Sequence, residues 1–275
     1  MISQDTLSLE ILISTMKRSN LDFLQPMFPK DFGNYNILII NQTEKGQELT
    51  SKYDNIRVLN SYEKGLSKSR NLALKNAKGD ICLLADDDIK YVENFDNIIK
   101  KAFKSNKNFD VITFMMSDFE GNLAKKYNLP KLHTYKSLVK ANSVTIAFKR
   151  KPILNTKIVF DTNFGLGSTF EIAEEFIWLR SLFKTKIKIG FIAKVIVQHS
   201  YESSGRFGGD DRIIAARSAL FYKYSKRFAH IKLIRYLFLM LKTQQIKTKD
   251  VFKKYRTGHK GINLYKAILQ SKKSK

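Results

Sequence analysis

Apolar residues in the first 120 positions come in short runs separated by helix-like stretches. Residues 9–13 (Leu-Glu-Ile-Leu-Ile), 36–40, 57–59 (Arg-Val-Leu), 81–85 (Ile-Cys-Leu-Leu-Ala) and 110–116 read as strands. Between the third and fourth runs, residues 67–76 read as a helix, and Lys78-Gly79 supplies a common helix stop. The run 81–85 has no polar alternation, as expected of a central strand covered on both faces. Strands alternating with helices at this spacing predict an α/β fold with a mostly parallel sheet and helices on both faces. In such sheets ligands bind at the carboxyl ends of the strands.

The second half is mixed. Residues 143–148 and 187–198 read as strands, with a helix near 170–183 between them. From Asp211 onward the pattern is helical and basic. Ser and Gly cluster at 204–209, which sets a soft boundary there. The expected organisation is one domain over 1–209, its halves at about 1–120 and 121–209, and a basic helical extension over 210–275.

Composition narrows the class. With 43% hydrophobic residues, 12% aromatics, 4 prolines and 13 glycines, the chain has the makings of a packed core and is not loop-dominated. One cysteine, Cys82, excludes a disulfide framework, fits a reducing compartment, and sits inside an apolar run as a core residue would. Residues 1–5 lack the basic and apolar regions of a secretory signal, and no segment approaches the ~18 apolar residues of a membrane span. A cytoplasmic protein is expected. The formal net charge is +24, from 49 Lys+Arg against 25 Asp+Glu, and implies an anionic partner. After Asp211 the only acidic residue is Asp250, so the excess belongs largely to the tail.

The chemistry centres on Asp86-Asp87-Asp88, at the carboxyl end of the apolar run 81–85. Three consecutive carboxylates repel one another and call for a compensating cation. Oxygen-rich clusters suit Mg²⁺ or Mn²⁺, which keep waters and substrate phosphates as their other ligands. On an extended chain Asp86 and Asp88 point to the same side. A solvated acidic turn capping the next helix is the plainer alternative. Arg70 shares a helical stripe with Leu66 and Leu74, which places it toward the core, where it needs an anionic partner unless its head reaches solvent.

The stretch Gly65-Leu66-Ser67-Lys68-Ser69-Arg70-Asn71, followed by Gly79-Asp80 and the strand that ends in Asp86-Asp87-Asp88, resembles family 2 glycosyltransferases with the Rossmann-like GT-A fold. The family carries a Gly–small–Ala/Ser–Arg–Asn helix start, a Gly-Asp before the strand and an Asp-x-Asp at its end. Downstream, Phe164-Gly165-Leu166-Gly167-Ser168 and Ala173-Glu174-Glu175 look like its glycine-bearing acceptor loop and acidic helix start.

The resemblance implies an inverting enzyme that uses a nucleotide-sugar, UDP-linked by default, with Mn²⁺ or Mg²⁺. It assigns Thr15, Arg18, Asn41, Arg70, Asp86 and Asp87 to the donor nucleotide, and Asp88 with His199 to the metal. Arg206 would meet the diphosphate from the Ser-rich loop, and Gly167 and Glu174 would lie on the acceptor side. Glu175 falls where the family has its general base, more often Asp, and Glu171 or Glu174 remain alternatives. Acids near a helix start are also favoured by the helix dipole, and an isolated His such as His199 is often structural. Where the family often has Asp at the end of the second strand, this chain has Asn41-Gln42-Thr43, with a different donor and acceptor set toward a base.

Lys and Arg interleaved with Leu, Ile, Phe and Tyr over 230–242 fit either an anionic membrane surface or a helical cap with a solvated basic face. The first suits a lipid-linked glycan acceptor and surface-polysaccharide assembly. A basic nucleic-acid-binding protein would explain the charge but leaves the aspartates without purpose. A nucleotidyltransferase would need a glycine-rich loop that residues 13–17 lack. A non-catalytic relative would not need Asp86, Asp88 and Glu175 together.

Overall fold

The computed structural model describes residues 7–123, 125–200 and 208–271. Eight strands form one sheet: β1 (Leu9–Met16), β2 (Asn36–Gln42), β3 (Ile56–Ser61), β4 (Ile81–Asp86), β5 (Lys90–Tyr91), β6 (Val111–Ser117), β7 (Ile146–Lys149) and β8 (Ile189–Gln198). Their spatial order is β3-β2-β1-β4-β7-β6-β8-β5. Strands β3, β2, β1 and β4 run parallel, as do β6 and β8, while β7 runs antiparallel between β4 and β6, and β5 antiparallel to β8. The chain steps from β1 outward to β2 and β3, then returns to place β4 on the other side of β1. The crevice where ligands bind in such sheets therefore opens at the carboxyl ends of β1 and β4.

Strand alternation divides the core into two layers. From β1, β2 and β4, Ile11, Ile13, Ile37, Ile39, Leu83 and Ala85 enter one layer, completed by Phe95, Ile99 and Phe103 of helix α2 (Phe95–Ser105). Leu12, Leu38, Ile40, Cys82 and Leu84 enter the other, covered by α1 (Leu66–Asn76), α3 (Arg150–Asn155) and α4 (Glu174–Phe183). Both faces of the sheet are thus apolar and helix-covered, which accounts for the unbroken apolar run in β4. Trp178 of α4 stacks on Phe160 at 4.7 Å and meets Phe148 of β7 edge-on at 5.5 Å, which anchors the helix that carries Glu174 and Glu175.

Two expected elements differ. Residues 143–145 form a 3-10 turn capped by the Asn142 side chain, so the strand starts only at Ile146. The helix expected from residue 170 starts at Glu174, because Gly165, Gly167 and Ala173 take positive φ (100°, 72° and 69°) and bend the preceding segment into a loop.

The chain packs as two units, one of residues up to Thr162 together with Glu174 to the end of β8, the other of Asn163–Ala173 with the C-terminal helices. In the second unit α5 (Asp211–Ser225), α6 (Ala229–Lys242) and α7 (Val251–Ser271) share a core of Ile214, Leu233, Tyr236, Leu237 and Ile262. Phe164 and Phe170 of the loop stack at 5.1 Å, and the Tyr265 ring of α7 meets both edge-on. No helix among the described residues is long and apolar enough to cross a membrane. Helices α5 and α7 approach closely at Gly261, where a Cβ would stand 2.4 Å from the Ala215 carbonyl oxygen. Gly261→Ala is expected to lower stability by about 1–3 kcal/mol, since the backbone clash outweighs the better helix propensity of Ala. Thermal melts of this variant beside Lys260→Ala, at an exposed neighbour, check it.

Candidate active site

The carboxyl ends of β1 and β4 are registered neighbours, with Ser14 opposite Asp86, and Thr15 of β1 opposite Asn41 of β2. Each of the three aspartates at the end of β4 faces a different neighbour. Asp86, the last residue of the strand, accepts from Arg70 Nη2 at 2.9 Å. Asp87 accepts from the Thr15 hydroxyl and from Arg18 Nε and Nη2 at 3.0 and 2.7 Å. Asp88 lies 3.3 Å from His199 Nε2. Arg70 offsets the charge of Asp86, and Arg18 with the Thr15 hydroxyl that of Asp87, while Asp88 turns toward His199. Residues 87–88 lie in a turn beyond the strand, so strand alternation does not govern Asp88.

Arg70 is the buried hub. It is 1% exposed, and its Nη1 donates to Glu174 at 2.6 Å while Nη2 holds Asp86. Its helix starts after Gly65, whose φ of 123° turns the chain and whose N–H donates to Gln42 Oε1 at 2.6 Å. Burial alone would lower the proton affinity of the guanidinium; Asp86, Glu174 and Glu175 outweigh it and hold the charge in place. Asn71, next in the motif, exchanges hydrogen bonds with the Phe160 backbone at 2.9 and 2.7 Å and so fixes the aromatic under Trp178. Its role was not read from the sequence, although an Asn beside a buried Arg on a helix signals a polar partner.

Glu174 and Glu175 separate clearly. Glu174 is buried and committed to Arg70. Glu175, one residue on, is partly buried and makes no ion pair with another described residue. Burial, then the charge of Glu174, push its carboxyl up to about 8 despite the opposing pull of Arg70. Of the three acids around the Arg70 guanidinium, Asp86 and Glu174 take its two Nη nitrogens. Glu171 pairs instead with Arg212 at 3.3 Å, within the second unit.

His199 follows β8 and reaches Asp88 because the two-residue strand β5 pairs with the end of β8, Lys90 opposite Gln198. Its Nδ1 lies 2.7 Å from the Ser200 carbonyl, which can only accept, so Nδ1 carries the proton and the neutral ring presents its Nε2 lone pair to Asp88. Two lone pairs face each other there unless a proton or a cation sits between them. As a proton pair the effect is mutual: the hydrogen bond to Asp88 raises His199, and that same bond lowers Asp88. One carboxylate oxygen and one imidazole nitrogen fixed by a carbonyl also suit a divalent ion that keeps open positions for water and phosphate. No group of three or more His, Cys, Asp or Glu converges among the described residues.

Around Asp87, the Arg18 guanidinium lies 5.0 Å over the Phe23 ring and remains partly exposed. Asn41 has no exposed surface. Its side chain accepts from Arg18 N and donates to Arg18 O and Asn60 Oδ1, all at 3.1 Å, so its amide holds the Arg18 turn. Gly167 lies in the loop of the second unit, where Ser168 Oγ donates to the Gly165 carbonyl at 2.6 Å. Arg206 lies outside the described residues.

The model of the family described as glycosyl transferase family 2 matches residues 15–176, more than half of the chain and all of the site except His199. No curated protein sequence gives a significant match. Among solved structures, residues 1–349 of TarS from S. aureus are similar over 92% of this chain and 81% of that one, with a TM-score of 0.54 at 13% identity. The same fragment in complex with UDP matches 89% and 77% of the two chains (TM-score 0.54, 14% identity). Its complex with UDP-GlcNAc matches 92% and 79% (TM-score 0.54, 12% identity). At such identities the likeness establishes the GT-A fold alone.

Proposed function

The chain belongs to glycosyltransferase family 2, and from that premise we propose an inverting, metal-dependent transfer of a sugar from a nucleotide-sugar to a hydroxyl of a glycan or lipid-linked glycan. The donor is UDP-linked by default, in keeping with the UDP and UDP-GlcNAc complexes of TarS. The observation that carries the reading is the position of Glu175, next to the Arg70–Asp86–Glu174 cluster at the carboxyl end of β4, where burial and Glu174 push its carboxyl up to about 8. A cytoplasmic site of action, in surface-polysaccharide synthesis, goes with the donor.

In the proposed step Glu175 takes the proton of the acceptor hydroxyl while the acceptor's oxygen bonds to the anomeric carbon. The bond from that carbon to the diphosphate breaks, and its electron pair leaves with the nucleoside diphosphate. One displacement inverts the anomeric configuration. A raised carboxyl is a stronger base, and general bases contribute about 10²–10⁴-fold. Arg70 keeps Asp86 and Glu174 from drifting toward the reacting atoms, and the Asp87–Arg18–Thr15 cluster orients the nucleotide. Asp88 and His199 would hold Mn²⁺ or Mg²⁺, which when bound offsets charge on the departing diphosphate.

Calorimetric titration with UDP and GDP, in Mn²⁺ and in chelator, tests the donor site. Asp88 is largely exposed, so Asp88→Ala removes a ligand without disturbing the core. Metal-dependent binding that weakens by roughly tenfold or more in Asp88→Ala is expected. Binding that ignores both the metal and Asp88 would overturn the assignment.

A further inference from the structure

Helix α6 is apolar on both sides. Leu233, Tyr236, Leu237 and Met240 face the core shared with α5 and α7. On the opposite side Ile231, Ile234 and Phe238 are 56%, 57% and 68% exposed, and Phe228 just ahead of the helix extends the same row. Spacings of three and four keep them on one helical face. Arg235 and Lys242 are exposed on that side too, Lys232 flanks it, and α6 contains no acidic residue. Large apolar side chains left in water on an otherwise well-packed helix, with cations set among them, need a partner that is apolar and anionic at once.

We propose that this outer face of α6 docks on an anionic lipid surface, with Ile231, Ile234 and Phe238 entering the acyl boundary and Arg235 and Lys242 meeting phosphate headgroups. Nucleic acid would engage the cations but has no use for branched aliphatic side chains standing out from a helix. A second copy of the chain would bury the apolar row, but a two-fold contact would bring Arg235 and Lys242 against cations of their own kind without an acid to pair them. Lipid satisfies both sets of side chains. The surface lies wholly within the C-terminal unit and does not depend on the catalytic reading.

Sedimentation of the full chain with phosphatidylcholine vesicles, with and without phosphatidylglycerol, tests this at low and high salt. Binding is expected to anionic vesicles, to weaken in high salt, and to be slight on phosphatidylcholine alone. Ile234→Ser/Phe238→Ser should weaken it at least about tenfold. Arg235→Glu/Lys242→Glu should weaken it by roughly fivefold per charge removed, or more. The altered side chains are exposed, so circular dichroism and melting temperature should not change. The proposal is overturned if the chain does not sediment with anionic vesicles, if the Ser pair binds as the wild type does, or if lipid charge has no effect. It is equally overturned if, without lipid, the Ser pair turns a dimer into a monomer, which would assign the face to a second copy.

Discussion

Glu175→Gln is expected to slow sugar transfer, followed as release of nucleoside diphosphate, by about 10²–10⁴-fold while leaving donor affinity unchanged. Gln keeps the shape and cannot take a proton. In the wild type the base must be ionised to act, so kcat/KM should rise with pH and level off above about 8, the value toward which burial and Glu174 push the carboxyl. The residual rate of the variant should lack that limb. Stability moves the other way. A carboxyl raised in the folded state favours folding while it holds its proton, below its ordinary 4.5, and that contribution is lost as pH rises through about 8. Glu175→Gln does not share the loss. At pH 8–9 the variant should therefore be more stable than the wild type, by on the order of 2–4 kcal/mol, and the two should converge in acid. Denaturant midpoints across pH check this, and an activity loss without the alkaline gain would mean that Glu175 is not the raised group.

Arg70→Met is the second large effect. Methionine fills much of the volume but leaves Asp86 and Glu174 without the guanidinium that pairs them, with Glu175 adjoining. Breaking a buried ion pair from one side costs about 3–5 kcal/mol. For a chain of this size that lowers the melting temperature by roughly 10 °C. The defect should shrink in acid, where the stranded carboxyls protonate, and Glu174→Gln in the same background should recover part of it. Were Arg70 needed only for the donor, Arg70→Met would melt as the wild type does and lose nucleotide affinity alone.

The hub was legible in outline. The stripe Leu66, Arg70, Leu74 puts an arginine in a core layer, and such a charge demands an acid. Which acid was not legible, because Asp86 and Glu174 are brought together by packing of α1 and α4 on one face of the sheet, 104 residues apart in the case of Arg70 and Glu174. The carboxyl-end location followed from the apolar run of β4. The antiparallel β7 did not, since a four-residue strand carries no local signal of its direction. Nor did the approach of His199 to Asp88, which depends on β5, two residues long. The loop over 163–173 was read partly as helix because Ala173 gives no sequence sign of a left-handed backbone, unlike Gly165 and Gly167. Asn41 lies at the end of β2, and its buried amide meets Arg18 and Asn60, an arrangement that tertiary packing makes and the sequence does not show.

The most direct measurement of the inverting transfer is the anomeric configuration of the sugar first released from an α-linked UDP-sugar, with water standing in for the acceptor. Proton NMR at early times, before mutarotation, reads it. Single displacement assisted by Glu175 gives the β sugar first, at a rate that falls in Glu175→Gln. The α sugar first, or release at an unchanged rate in Glu175→Gln, would contradict it.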